Sequence, residues 1–306
     1  MYNIALITDD GYVVPTAVCI RSIIDSNISK TKYCIHICTF GLSVENIQLL
    51  KNLGNSIVSV VIEVFDIEHY QNIIGKISQN THVTPTALIK FELANYFAEL
   101  DKILYLDGDI IVKNDIHEIF NTNINEYYLA ACYEFYVRYN NVRFHPNRIK
   151  NEKYYFNSGV MLINLDIFRK EKISEKLWDY KINHTKTKLM DQECLNSICG
   201  TKIFPLSVKW NFNPVFLDVK LLPLINSVYN EEYDNITDLE DSVSVIHYVG
   251  EKDKPWVYST ALMRTYWDHS YAKIKKNYPI EPRPYIRPSQ SKIDRVKEII
   301  RNEGLS

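Results

Sequence analysis

A chain of 306 residues with 46% hydrophobic and 12% aromatic content can bury a sizeable core, as one large α/β domain or two ordinary ones, and is too apolar for a disordered polypeptide. Its 35 Lys and Arg against 37 Asp and Glu leave a net charge of −2, so no whole-protein field exists to hold DNA, RNA or an anionic membrane, and any bound anion must be gripped locally. The six cysteines form no Cys-x-x-Cys pair, which removes the common zinc and dithiol spacings and leaves reduced thiols as the expectation.

Residues 3–8 predict the first strand, and a helix follows Pro15. Next come a strand at 33–39, a helix entered from Ser43 and ending near Gly54, and a strand at 57–64, a βαβαβ pattern that predicts a mostly parallel sheet. Cys34, His36 and Cys38 alternate in the second strand, a pattern that fits small side chains packed into a core better than a metal cluster. Ile89, Leu93, Tyr96 and Leu100 recur at helical spacing, so a helix over 89–100 is expected to cover the sheet, with Lys90 about 100° from its apolar face. KILYL at 102–106 is apolar on both faces, the mark of a central buried strand, and it runs directly into Asp107, Gly108 and Asp109.

A second set of elements follows, with strands near 129–132, 160–164 and 243–247 and helices near 166–180 and 192–199. These elements predict one α/β domain over residues 1–272. From residue 273 the composition changes: NYPIEPRPYIRPSQ carries four of the eleven prolines, and a short basic helix follows, which marks 273–306 as an appended tail. The N-terminal stretch meets two acids before any basic residue, and no apolar run approaches the ~18 residues of a membrane span, so the cytoplasm is the expected location.

Neither Gly-x-Gly-x-x-Gly nor Gly-x-x-x-x-Gly-Lys-[Ser/Thr] occurs, so phosphates cannot be held by the usual glycine-rich loops. In an open α/β sheet the ligand sits at the carboxyl ends of the strands. Asp107 and Asp109 leave the central strand there and can both reach one hard cation, which in turn takes substrate phosphates; the bland alternative is a satisfied turn. Gly108 lets a ligand approach the backbone closely.

Context favours the clamp. YLDGDIIV resembles the signature of nucleotide-sugar glycosyltransferases of the A-type (GT-A) fold, and LITDDGY, ALIKFELANYF, DKILYLDGDIIV, FNSGVMLINL, MDQECLN, KWNFNP and HYVGEKDKPW together resemble family 8, the retaining group that includes bacterial lipopolysaccharide galactosyltransferases and glycogenin. The resemblance implies a Rossmann-like GT-A domain. It also implies a retaining transfer of a hexose from a UDP-sugar, UDP-galactose or UDP-glucose, to a saccharide or lipid-linked acceptor. By the same resemblance Thr8 and Asp9 contact the uracil, Tyr12 stacks on it, and Asp107, Asp109 and His247 ligate the metal. An imidazole ligand tips that metal toward Mn²⁺, with Mg²⁺ as the alternative. Lys254, or Lys252 in its place, neutralises the donor diphosphate, and Lys90 stands where the family usually has an arginine. Asn157 and Asp191 grip the sugar hydroxyls, and Gln192 lies near the reacting anomeric carbon.

Each position also has a structural reading: Tyr12 a core aromatic, His247 a satisfied core histidine, Asn157 a turn residue and Asp191 a helix N-cap. Residues 133–156 interleave aromatics with Arg138, Arg143, Arg148, Lys150 and Lys153, which suits a lid over a sugar site better than a nucleic-acid surface. In the tail, Arg283, Arg287, Lys292, Arg295, Lys297 and Arg301 flank Ile293, Val296, Ile299 and Ile300, a short amphipathic helix suited to peripheral contact with the inner membrane face or to docking on the domain. Two rival functions use similar parts. A sugar nucleotidylyltransferase would want a basic glycine-rich loop where this chain has DDGYVVP, and a non-catalytic nucleotide-sugar-binding module would not need the intact Asp107, Asp109 and His247 set.

Overall fold

In the computed structural model, which describes residues 1–68, 85–135, 155–184, 190–250, 253–280 and 282, strands β1 (Tyr2–Ile7), β2 (Tyr33–Thr39) and β3 (Val58–Val64) run parallel. Helices α1 (Val13–Ser26) and α2 (Val44–Lys51) make the crossovers, and the Ser43 side chain caps α2 by accepting from the Asn46 amide. A tight 3₁₀ turn over Pro85–Glu92 and the single-turn helix α3 (Leu93–Tyr96) lead to β4 (Lys102–Leu106). Next come β5 (Ile110–Val112), β6 (Leu129–Tyr133) and β7 (Phe156–Asn164). Helices α4 (Leu165–Lys170), α5 (Ile173–Asn183) and α6 (Met190–Cys199) precede β8 (Ile203–Pro205). Further along the described chain come α7 (Leu222–Tyr229), α8 (Ile236–Ser242), β9 (Val245–His247) and α9 (Arg264–Ala272).

The main sheet has seven strands in the order β3-β2-β1-β4-β7-β6-β8. β4 is its middle strand, parallel to β1 and antiparallel to β7, so the sheet is mostly parallel with one reversed strand. Alternation along β4 sends Leu104 and Leu106 into one core with α1, and Ile103 and Tyr105 into the other with Phe91 and Phe97. Each such fully buried side chain contributes on the order of 2 kcal/mol of hydrophobic stabilisation. The chain steps from β1 outward to β2 and β3 and then returns to place β4 on the other flank of β1. That reversal is a topological switch point, and it opens a crevice at the carboxyl ends of β1 and β4.

The structure corrects two predicted helices. Residues 89–100 do not form one helix with a single apolar stripe: Leu88, Ile89, Lys90, Phe91 and Leu93 are all buried, and Tyr96 is 42% exposed, stacked on Phe65. Burial on all sides suits a tight 3₁₀ turn threaded between sheet and helices, not a surface helix. The segment predicted as one helix over 166–180 is two, broken where Lys172 takes a left-handed conformation at φ 52°. The alternating Cys34, His36 and Cys38 are structural: the cysteines are free and buried, and His36 lies between Glu63 Oε1 at 2.7 Å and Asn3 Oδ1 at 3.0 Å. The basic aromatic stretch within 133–156, the tail from residue 283 and Lys252 lie largely or wholly outside the described residues. Among the described residues no helix is long and apolar enough to cross a membrane.

Candidate active site

The site grows from the two strand ends at the switch point. After β1 come Thr8, Asp9 and a 3₁₀ turn over Asp10–Tyr12 that feeds α1; after β4 come Asp107, Gly108 and Asp109. Asp107 is pinned by its amide, which donates to the Gly159 carbonyl at 2.8 Å. A Cβ at Gly108 would stand 2.7 Å from Thr16 Oγ1 and 3.2 Å from the Tyr12 ring, so only glycine lets this turn press against α1. β5 then pairs antiparallel with β9, setting Ile110 opposite His247 and so delivering the imidazole beside Asp109.

The three side chains converge. His247 Nε2 is 3.2 Å from Asp109 Oδ1 and 3.7 Å from Asp107 Oδ2, and one ligand atom from each residue lies within 4.8 Å of the others. Three observations fit a divalent cation here. Asp109 Oδ1 is buried with no hydrogen-bond partner. A Cβ on Gly159 would fill the space of the imidazole, at 2.2 Å from His247 Cε1. Two carboxylates and an imidazole form an oxygen-nitrogen donor set suited to Mn²⁺.

Cations line the same edge. Burial alone would raise the Asp109 carboxyl, but the Lys254 ammonium against its Oδ2 holds it well below the usual carboxylate range. Lys254 also donates to the Tyr248 carbonyl at 2.7 Å and lies 5.4 Å from the centre of the Trp256 ring. Tyr12 donates to Asp109 Oδ2 at 3.3 Å and meets Trp256 edge-on; burial and the two aspartates push its phenol upward, so it stays a donor. Across the crevice, Lys90 is buried with Nζ 2.6 Å from Asp191 Oδ2 and 3.2 Å from Asp107 Oδ1. Burial would lower its ammonium, yet those two carboxylates raise it above its ordinary value.

Asp191 and Gln192 are carried by α6, which Asn196 fastens to β7 through both the amide and the carbonyl of Phe156. Ser158 completes the seam, its hydroxyl donating to Asp191 Oδ2 at 2.9 Å and its amide to Gln192 Oε1 at 3.0 Å. Asp191 is thus the second residue of α6, with its Oδ2 turned toward Lys90 and Ser158. Asn157 lies in β7, not in a turn, and its amide contacts Glu134, Asn211 and the Gly159 backbone. Thr8 is buried, accepting from Thr16 Oγ1 at 2.9 Å, and Asp9 is half-buried at the entry to the turn.

Sequence reasoning passed over Tyr105, Glu134, Ser158, Gly159 and Asn211. Tyr105 hides in an apolar run yet donates to Asp107. Ser158, Gly159 and Asn211 stand inside the motifs FNSGVMLINL and KWNFNP, where a polar residue or glycine amid apolar neighbours was the available signal. Glu134 gave none, because its partner Asn157 becomes a neighbour only through the pairing of β6 with β7.

A mostly parallel α/β sheet with paired aspartates at its switch point is the architecture of the GT-A fold. A crystal structure of galactosyltransferase LgtC with donor and acceptor sugar analogues superposes with a TM-score of 0.73 over 89% of this chain and 95% of that one, at 22% identity. The chain belongs to glycosyl transferase family 8, whose sequence profile matches residues 3–260. It is 30% identical over 224 residues to a Haemophilus influenzae protein assigned to the glycosyltransferases, covering 71% of this chain and 65% of that protein's length. It is also similar to the lipopolysaccharide 1,2-glucosyltransferase of Escherichia coli, at 29% identity over 83% of this chain and 73% of the relative.

Proposed function

We propose that the protein is a retaining hexosyltransferase that moves a hexose from a UDP-sugar, UDP-galactose or UDP-glucose, to a saccharide or lipid-linked acceptor, with Mn²⁺ held by Asp107, Asp109 and His247. The convergence of those three ligand atoms within 4.8 Å, flanked by Lys254 and Lys90, carries this reading. The names of the relatives, lipopolysaccharide glucosyl- and galactosyltransferases among them, support a saccharide acceptor. When bound, the metal supplies positive charge against the diphosphate and so makes it a better leaving group.

The chain's own residues divide the remaining work. Thr8, Asp9 and Tyr12 hold the uridine at the end of β1. Lys254 adds a cation to the diphosphate side, where charge builds as the glycosidic bond breaks. Asn157, Asp191 and Lys90 orient the hexose, and Gln192, fixed by the Ser158 amide, stands beside the anomeric carbon. No carboxylate is required as a nucleophile: the acceptor hydroxyl attacks from the face the diphosphate leaves, and the departing phosphate oxygen takes its proton. The basic residues between Arg283 and Arg301 extend the reading to peripheral contact with an anionic membrane where lipid-linked acceptors reside, tested by comparing the binding of full-length protein and a chain lacking residues 283–306 to anionic vesicles.

The deciding experiment offers a panel of nucleotide sugars with Mn²⁺ or Mg²⁺ and scores released nucleotide diphosphate. UDP release from a UDP-hexose, faster with Mn²⁺, is expected. Pyrophosphate exchange between a nucleoside triphosphate and a sugar phosphate would instead establish a nucleotidylyltransferase, and binding of UDP-sugar with no release under any acceptor would establish a binding module.

A further inference from the structure

A chain of side chains runs from the surface of the site to the back of the His247 ring, and its hydrogen bonds have only one consistent polarity. Glu134 Oε2 accepts from Asn157 Nδ2 at 2.8 Å, and a carboxylate oxygen can only accept. The Gly159 backbone N–H donates to Asn157 Oδ1 at 2.9 Å, and a backbone N–H can only donate. These two contacts fix both ends of the Asn157 amide. Asn211 Nδ2 then donates to Asn157 Oδ1 at 2.8 Å, which turns Asn211 Oδ1 toward His247 Nδ1, also at 2.8 Å. Because a carbonyl oxygen cannot donate, His247 Nδ1 must carry the hydrogen. In the neutral ring the lone pair therefore sits on Nε2, which faces Asp109 Oδ1 at 3.2 Å, the buried oxygen without a hydrogen-bond partner. Two lone pairs turned on each other favour a cation between them.

We propose that Glu134, Asn157 and Asn211 are positioning residues that set the tautomer of His247, and so hold Nε2 ready for metal; this rests on the reading of His247 as a metal ligand. Asn211 is 6% and His247 4% exposed, so water has little access to replace a missing link. Without the polarity imposed at Asn157, the Asn211 amide can turn over and present Nδ2 to the ring. The proton then moves to Nε2 and blocks ligation. Loss of such an orienting partner costs roughly 10–100-fold in metal affinity.

The test begins in metal-free, full-length protein with ¹⁵N-labelled histidine, using long-range ¹H–¹⁵N correlation at a pH where the ring is neutral and assigning His247 by its absence in His247→Gln. The Nδ1–H pattern is expected; an Nε2–H pattern overturns the relay whatever any variant does. Asn157→Ala removes the middle link without hydrogen-bonding to His247 or either aspartate. A mixed tautomer pattern and a 10–100-fold weaker Mn²⁺ dissociation constant by paramagnetic resonance are expected, and an unchanged tautomer with unchanged affinity overturns the proposal. Glu134→Gln keeps an accepting carbonyl and should leave both readouts near wild type. A loss as large as that of Asn157→Ala would show that the charge of Glu134 acts, and would overturn the relay. A wild type that shows Nδ1–H but binds no Mn²⁺ sinks the metal reading while the tautomer assignment survives.

Discussion

The His247 imidazole fills the space that any side chain at position 159 would need: a Cβ on Gly159 would lie 2.2 Å from His247 Cε1, 2.7 Å from Nδ1 and 2.9 Å from Asp107 Oδ2. Gly159→Ala therefore displaces the ring or the strand, at a cost of about 1–3 kcal/mol for overpacking. Mn²⁺ affinity is expected to fall at least tenfold, measured by titration calorimetry. Wild-type affinity in this variant would contradict the placement of the ring.

Asp109→Ala and His247→Ala are each expected to abolish metal-dependent turnover, as is removal of metal by a chelator. Both residues sit past or at the ends of short strands, where they contribute to the site more than to the two cores. Circular dichroism should therefore show cooperative melting in both variants, so that lost activity is not lost fold. Turnover that persists after chelation would count against a metal role.

Lys254→Ala should raise the donor KM by about tenfold, equivalent to ~1.4 kcal/mol for one charge-assisted contact, without changing which hexose is preferred. The lysine stands at Asp109 and over Trp256, beside the proposed metal ligands, whereas Asp191 pairs with Lys90. A switch in sugar preference with unchanged KM would move Lys254 out of the diphosphate site.

The parts of this site legible in the sequence were those with a short-range signature. Asp107 and Asp109 follow an apolar strand directly, and that adjacency alone places them at the sheet edge. His247 was visible through its motif, and its delivery opposite Ile110 needed the β5–β9 pairing, which no local pattern encodes. The same limit hid the reversed direction of β7, since residues apolar on both faces report burial and not strand direction. The break at Lys172 carries no glycine or proline, and the buried stretch 88–93 looks amphipathic only if Lys90 is counted as solvent-facing. Lys90 is instead held inward by Asp191, a partner 101 residues away.

His36 offers a pH test separate from the site. Burial would lower its imidazole, but the neighbouring Cys34 thiol and the hydrogen bond and charge of Glu63 raise it above the ordinary histidine value. A group whose folded value is raised stabilises the protein fully below the unfolded value near about 6.5, and that contribution disappears as pH rises through the folded value. Wild type should thus exceed His36→Gln in stability most at pH 5.5–6, with the gap closing toward alkaline pH. Urea unfolding of both proteins across that range reads it directly. A gap that widens with pH would mean the neutral ring, not the ion pair with Glu63, is what the fold favours.

Among the described residues, Lys90 bridges Asp107, a proposed metal ligand, and Asp191, a proposed sugar contact. Lys90→Met keeps the length and apolar stem but leaves those carboxylates without their shared partner. Removing one member of a buried pair costs about 3–5 kcal/mol, and the lower end applies because the Asp107 side chain is 29% exposed. The two carboxylates differ in what can replace the ammonium: Asp107 stands in the candidate metal cluster, whereas among the described residues Asp191 retains the Ser158 hydroxyl. Mn²⁺ should therefore raise the melting temperature of Lys90→Met by more than it raises that of wild type, while turnover stays low because Asp191 is no longer held toward the sugar. Differential scanning calorimetry with and without Mn²⁺ measures the first effect, and nucleotide diphosphate release measures the second. Equal Mn²⁺ shifts in the two proteins would show that Lys90 and the metal do not share Asp107.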